Sequence, residues 1–142
     1  MANQNYDQTL ELALQGNLNW GVDSISALLY TGAEFDPVAK TLADLTGEIR
    51  ATQVISGRYI TEDGMAMGLP VAYQRVSEGE EFQIVIVQET GNGNPNLLAF
   101  IDTNADDSPI SVAHSGTLII RPMLVEGIDD PPTIGVWLRL SA

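Results

Sequence analysis

The stretch FQIVIVQETGNGNPNLLAFIDT, Phe82 to Thr103, decides how the rest of the chain is read. Two apolar runs, Phe82–Val87 and Leu97–Ile101, flank a linker of Gly, Asn and Pro. Ile84, Val85, Ile86 and Val87 are consecutive β-branched residues, stiff at χ1 and suited to a pleated surface. A short run that is apolar on both faces and bounded by turn residues predicts a strand buried on both sides. Gly91, Asn92, Gly93 and Asn94 tolerate positive φ, and Pro95 cannot extend a ladder. The expectation is a central hairpin with a polar tip.

Downstream, DTNADDSP (Asp102–Pro109) reads as a polar loop. Ile110–Ala113 and Thr117–Pro122 flank His114-Ser115-Gly116 and predict a second hairpin. EGIDDPPT (Glu126–Thr133) carries two prolines and is a loop. In Ile134–Leu140, four aliphatic residues alternate with Gly135, Trp137 and Arg139, a period-2 strand. Upstream, Ser24–Tyr30 predicts a first strand, Phe35-Asp36-Pro37 a turn, and Ala39–Leu45 a short helical turn stopped near Gly47. Glu48–Ile55 predicts a second strand, with faces not cleanly sorted, broken by Ser56-Gly57. Tyr59–Thr61 leads into the turn Glu62-Asp63-Gly64. Met65–Tyr73 reads as a strand that Pro70 makes an edge or a bulge. Ser77–Glu80 is a charged turn.

Asn5–Gln15 is the helix candidate. Tyr6, Leu10, Ala13 and Leu14 fall on one face of a 3.6 repeat, Asn5 can cap with Gln8, and Gly16 suits a left-handed end. At about three turns it is marginal alone, so its apolar face must dock, either on this domain's core or on a neighbouring subunit. Together the signals predict an all-β fold, an antiparallel β-sandwich or barrel of about seven or eight strands with a short N-terminal helix. Residues 1–142 read as a single domain, with 1–16 as a helical N-terminal arm. Ile84, Ile86, Phe100, Ile119 and Leu138 are the expected core, and Tyr6, Leu10, Leu14 and Trp20 the expected interface.

At 142 residues a domain buries roughly 70% of its unfolded surface. It contains no cysteine, so no disulfide helps, which fits a reducing cytoplasm. MANQNYDQTLELALQG lacks the basic start and apolar core of a signal peptide, and no apolar run approaches the roughly 20 residues that span a bilayer. A soluble intracellular product is expected. Nineteen acidic residues against six basic ones give a formal charge of −13. Such a surface repels phosphate backbones and anionic headgroups, so neither nucleic acid nor membrane is an expected partner.

No catalytic, cofactor-binding or metal-binding residue is expected. Asp102, Asn104, Asp106 and Asp107 begin like a calcium loop, but Asp107 stands where glycine is required and Ala113 where a bidentate Glu belongs. The GNGN tip has neither the lysine nor the helix of a phosphate loop. His114 is the only histidine, which rules out a His cluster. Glu78, Glu80 and Glu81, like Asp129 and Asp130, sit in turns where nothing raises a carboxyl pKa, unlike glycosidase acids. Trp20, Trp137 and the tyrosines are better read as core and interface packing than as a sugar platform.

Four segments carry a resemblance: LALQGNLNWGVDSISALLY (Leu12–Tyr30), FDPVAKTLADLTGEI (Phe35–Ile49), SGRYITEDGMAMGLPVAY (Ser56–Tyr73) and LLAFIDTNADDSPISVAHSGTLIIRP (Leu97–Pro122). In this order they resemble a family of small tailed-bacteriophage virion structural proteins. The chain departs from that pattern at Arg58-Tyr59, at Glu62-Asp63 before Gly64, and in the tail Val125–Ala142. The resemblance implies a β-rich virion component without enzymatic activity, assembled in the host cytoplasm. A head decoration (cement) protein on the capsid surface is favoured. Its partners would be the major capsid protein or other virion proteins, and it would be a homo-oligomer. A tail tube, head–tail connector or neck subunit is the alternative, since DNA conduits benefit from acidic walls. A carbohydrate-binding β-sandwich module and an enzyme are the further classes, and both need converging polar or aromatic groups that the sequence does not display.

Overall fold

The computed structural model of the chain describes residues 3–60, 62, 65–91, 93–103, 108–112, 114–120 and 138–139. In chain order these form β1 (Asn3–Asn5), α1 (Gln8–Leu14), β2 (Ile25–Thr31), a 3-10 turn (Leu42–Asp44), β3 (Glu48–Val54) and β4 (Tyr59–Ile60). There follow β5 (Met65–Met67), β6 (Val71–Val76), β7 (Gln83–Gln88), β8 (Asn96–Ile101), β9 (Gly116–Ile120) and β10 (Leu138–Arg139). The fold is mainly β, as the sequence predicts, and sandwich-like. A five-stranded sheet in the order β1-β8-β7-β2-β3 lies beside a three-stranded sheet, β10-β5-β4, and the pair β6-β9. Every pairing among these strands is antiparallel.

The hairpin β7–β8 sits at the centre of the large sheet, and β7 is flanked on its other side by β2. Alternation sorts its side chains onto two faces. Ile84 and Ile86 join Ile25, Ala27, Leu29 and Ile101 in one core cluster. Val85 and Val87 join Leu28, Tyr30, Leu97 and Phe100 in another. The first face is covered by Val71, Tyr73 and Val76 of β6, Leu118 and Ile120 of β9, and by Trp20. The second is covered by Tyr6 and by the β2–β3 connection, through Ala33, Phe35, Ala39, Leu42 and Leu45. Tyr6 and Phe100 each pack a tilted ring on Phe35, with centroids 5.1 and 5.6 Å apart.

That connection is held by local chemistry. The Asp44 carboxylate accepts the backbone N–H groups of Lys40 and Thr41 at 3.1 and 3.2 Å, forming a capping box. These bonds, Lys40 first, keep its pKa below the usual carboxylate range. Gly47 then turns the chain into β3 at φ +93°, where a Cβ would lie 2.6 Å from the Thr31 carbonyl oxygen. No other residue fits there without moving the backbone.

Several expectations are corrected. Asn5 does not cap the helix; it ends β1 and faces Ala99 of β8, and the cap position belongs to Asp7. Residues from Asn3 onward are therefore an edge strand and a docked helix of the main sheet, not an arm. Pro70 does not merely bend a strand, because it separates β5 from β6, which lie in different sheets. The expected second hairpin does not form. Ile110 bridges to Phe82, and β9 pairs with β6 instead. Ile119 is 40% exposed, while Leu118 and Ile120 are buried, so the expected core parity was inverted there. Leu138 pairs with Ala66. Its burial, Trp137 and the Glu126–Thr133 loop lie outside the described residues.

Cutting Ile84 or Ile86 to Ala should cost about 2–5 kcal/mol in urea denaturation, whereas Ile119→Ala should cost under about 1 kcal/mol. A second prediction concerns alkaline pH. The Tyr73 hydroxyl donates to the Ala27 carbonyl oxygen at 2.7 Å, and burial pushes its pKa up from 10.0. Tyr6 is raised by burial, then by Tyr30 and Asp36. A folded pKa above the unfolded one favours folding at lower pH, so this contribution is complete below about pH 10 and is lost as pH rises beyond it. Tyr73→Phe should lower stability near pH 8 by about 1 kcal/mol and flatten the fall above pH 10.

Candidate functional site

The N-terminal segment is positioned by a bulge in β8. Val87 faces Leu97 and Ile86 faces Ala99, which leaves Leu98 as the extra residue between ladder positions. Its carbonyl oxygen accepts the Tyr6 backbone N–H at 3.0 Å and the Thr9 hydroxyl at 2.6 Å. The Gln8 amide nitrogen donates to the carbonyl oxygens of Lys40 at 2.6 Å and Leu97 at 2.8 Å. Helix α1 is thus riveted to β8 by polar side chains, and Thr9 is fully buried. Leu12 and Ala13 pack against the main core. What remains outward is Leu10, 40% exposed, and Leu14, 79% exposed. Seven residues would not hold a helix in water, so the rivets fix where these leucines are presented.

The expected interface therefore divides. Leu10 and Leu14 are available to a partner. Tyr6 and Trp20 are not, because both are core side chains, 1% and 0% exposed. The Trp20 indole N–H donates to the Met67 carbonyl oxygen at 2.9 Å. Arg58 straps the loop after it in place, donating from its guanidinium to the backbone carbonyls of Trp20 (2.6 Å), Ile55 and Asp23. Close by, the Gln88 amide nitrogen donates to the Asn17 carbonyl and the Asp23 carboxylate, both at 2.8 Å. These groups are occupied in holding loops to the sheet.

A cleft of about 490 Å³ opens beside β8, with Phe35 and Phe100 in its wall and the carboxylates of Glu34, Glu81 and Asp102 around it. Its charge would favour a cation over an anion. Among the described residues no group of three His, Cys, Asp or Glu is placed to hold a metal ion. The carboxylates noted in the sequence go separate ways. Glu80 pairs with Arg50 at 2.7 Å, Glu81 lines the cleft, and Glu78 stands exposed in a turn. His114 is exposed. Asn104, Asp106, Asp107, Asp129 and Asp130 lie outside the described residues. No helix among the described residues is long and apolar enough to cross a membrane.

Gln8, Thr9, Arg58 and Gln88 were not legible as anchors. Thr9 alone carried a signal, being β-branched and hydroxylated inside a helix, where such a side chain usually has a specific bond to make. No protein-family model, curated protein or solved structure matches the chain.

Thr9→Val should cost about 1–3 kcal/mol, since it removes a buried donor and leaves the Leu98 carbonyl with less bonding. Leu14→Ser should change stability by no more than about 0.5 kcal/mol. Guanidinium melts of the two variants give both numbers.

Proposed function

We propose that this chain is a structural protein of a tailed-bacteriophage virion, a decoration protein on the outside of the head bound to the major capsid protein. The observation that carries the reading is the run of four segments, from Leu12 to Pro122, that resemble that family in the same order. The charge of −13 agrees with it, because an external protein needs no basic groups while one lining packaged DNA usually carries them. Symmetric assembly of several copies fits such a role.

The contact with the shell runs through α1. Its outward leucines are apolar, exposed and held in a fixed place, which lets them bind without a large ordering cost. The acidic charge also suits the wall of a tail tube, so head and tail are separated by direct localisation.

Two experiments test the proposal. Purified chain mixed with undecorated heads should bind, and Leu14→Asp should weaken that binding by at least about tenfold, equivalent to about 1.4 kcal/mol, with the melting temperature unchanged. A virion reconstruction that places the chain inside the shell against DNA overturns the reading. A tail position removes the decoration role and keeps the virion role.

A further inference from the structure

The cleft of about 490 Å³ lies at one end of the three central strands. The chain leaves β2 there into Ala33–Phe35, enters β7 through Glu81, and leaves β8 through Asp102 and Thr103. Antiparallel pairing forces this meeting, because Tyr30 stands opposite Gln83 and Ile84 opposite Ile101. The corner is fixed by the Gln83 side-chain oxygen, which accepts the Ala33 N–H at 3.0 Å. Sheet register therefore decides which groups surround the cleft.

Glu34, Glu81 and Asp102 bring three carboxylates to it, and none of the described lining residues carries a positive charge. Phe35 supplies an apolar wall. Its half-buried ring is braced between Tyr6 and Phe100, with centroids 5.1 and 5.6 Å away. Thr103 adds a third element, since its hydroxyl oxygen is buried and has no hydrogen-bond partner among the described residues. A shielded hydroxyl without a partner works against folding, so its retention calls for a group that supplies the bond.

We infer that this cleft receives a guanidinium group on an alkyl stem, the arginine side chain of a partner protein. The acidic rim, with no base to neutralise it, selects a cation. The arrangement of the acceptors selects which cation. The carboxylates come from three separate strand ends, and among the described residues no three acidic groups are placed to hold a metal ion. A compact spherical charge is therefore not caged there. A guanidinium carries five donors in a flat fork that reaches separated acceptors, and its plane stacks on an aromatic ring such as Phe35. One of those donors supplies the bond that the Thr103 hydroxyl lacks, and the methylene stem lies along Pro109 at the exposed edge. Glu34, Glu81 and Asp102 are exposed as well, so the mouth is open to a side chain projecting from another chain. The inference does not depend on a place in a virion.

The test titrates the purified full chain, followed by amide NMR, in about 0.15 M salt, where exposed charges are screened. The probes are a blocked Gly-Arg-Gly tripeptide, its lysine counterpart and butylguanidinium. The arginine peptide should saturate, with the largest shift changes at the Ala33, Phe35, Gln83 and Thr103 amides, and should bind at least about fivefold tighter than the lysine peptide. Asp102→Asn and Thr103→Val should each weaken it by at least about threefold. Thr103→Val should leave the melting temperature equal or higher, because it discards a hydroxyl that makes no bond in the free protein. Glu89→Gln, at an exposed carboxylate beyond the far end of β7, should leave binding unchanged. Shifts scattered over the acidic residues without saturation overturn the inference, as does equal binding of the lysine peptide or binding of butylguanidinium alone. So does a Glu89→Gln chain that loses as much affinity as Asp102→Asn, an outcome readable even if Thr103→Val fails to fold.

Discussion

Burial of β7 on both faces is the constraint from which the rest of the fold follows. An antiparallel strand at a sheet's centre can leave one face in water, and most such strands alternate apolar and polar residues for that reason. Ile84 to Val87 do not alternate. Each buried side chain of this kind contributes about 1.5–3 kcal/mol, so the molecule must supply two covers. One is built from β6 and β9 with Trp20, the other from the capped β2–β3 connection with Tyr6. The Asp44 capping box, Gly47 and the Arg58 strap all serve to hold those covers down.

The N-terminal segment belongs to this arrangement. Tyr6 closes the second core, and its backbone N–H and the Thr9 hydroxyl together satisfy the carbonyl that the Leu98 bulge leaves out of the ladder. A buried carbonyl without a partner would cost about 1–3 kcal/mol, so the bulge and the docked helix depend on one another. The same docking determines which surface is on offer. It turns Tyr6 inward and leaves Leu10 and Leu14 as the apolar groups that α1 shows to solvent. At the opposite edge of the sheet β3 pairs, among the described residues, with β2 alone.

The central hairpin was legible because its signals agree at every level: β-branched run, Gly-Asn tip, and length. The β2–β3 segment was legible through Gly47 and the turn residues before it. What failed was pairing at a distance. Ile110–Ala113 and Thr117–Pro122 look like hairpin arms from local sequence, yet the first bridges to Phe82 and β9 finds β6 some forty residues upstream. That choice rests on which strands can cover Ile84 and Ile86, something no local window contains. Ile119 was misplaced for the same reason, since parity is fixed by the partner strand. In α1 the 3.6 repeat grouped Tyr6, Leu10, Ala13 and Leu14 as one face; Tyr6 and Ala13 pack inward while Leu10 and Leu14 stay exposed, and Gln8 and Thr9 supply polar bonds to β8 that the repeat does not show. Tyr6 was expected at the interface from its place on that repeat and Trp20 in core or interface packing, and both are core side chains.

Native-state hydrogen exchange on the full chain tests the dependence of the fold on its two covers. If the N-terminal segment is integral, the Tyr6 amide, bonded to the Leu98 carbonyl, should exchange with the same free energy as the amides of Ile84 to Val87, through global unfolding. A Tyr6 amide that exchanges orders of magnitude faster, while β7 stays protected, would show that the segment opens on its own and would contradict this account.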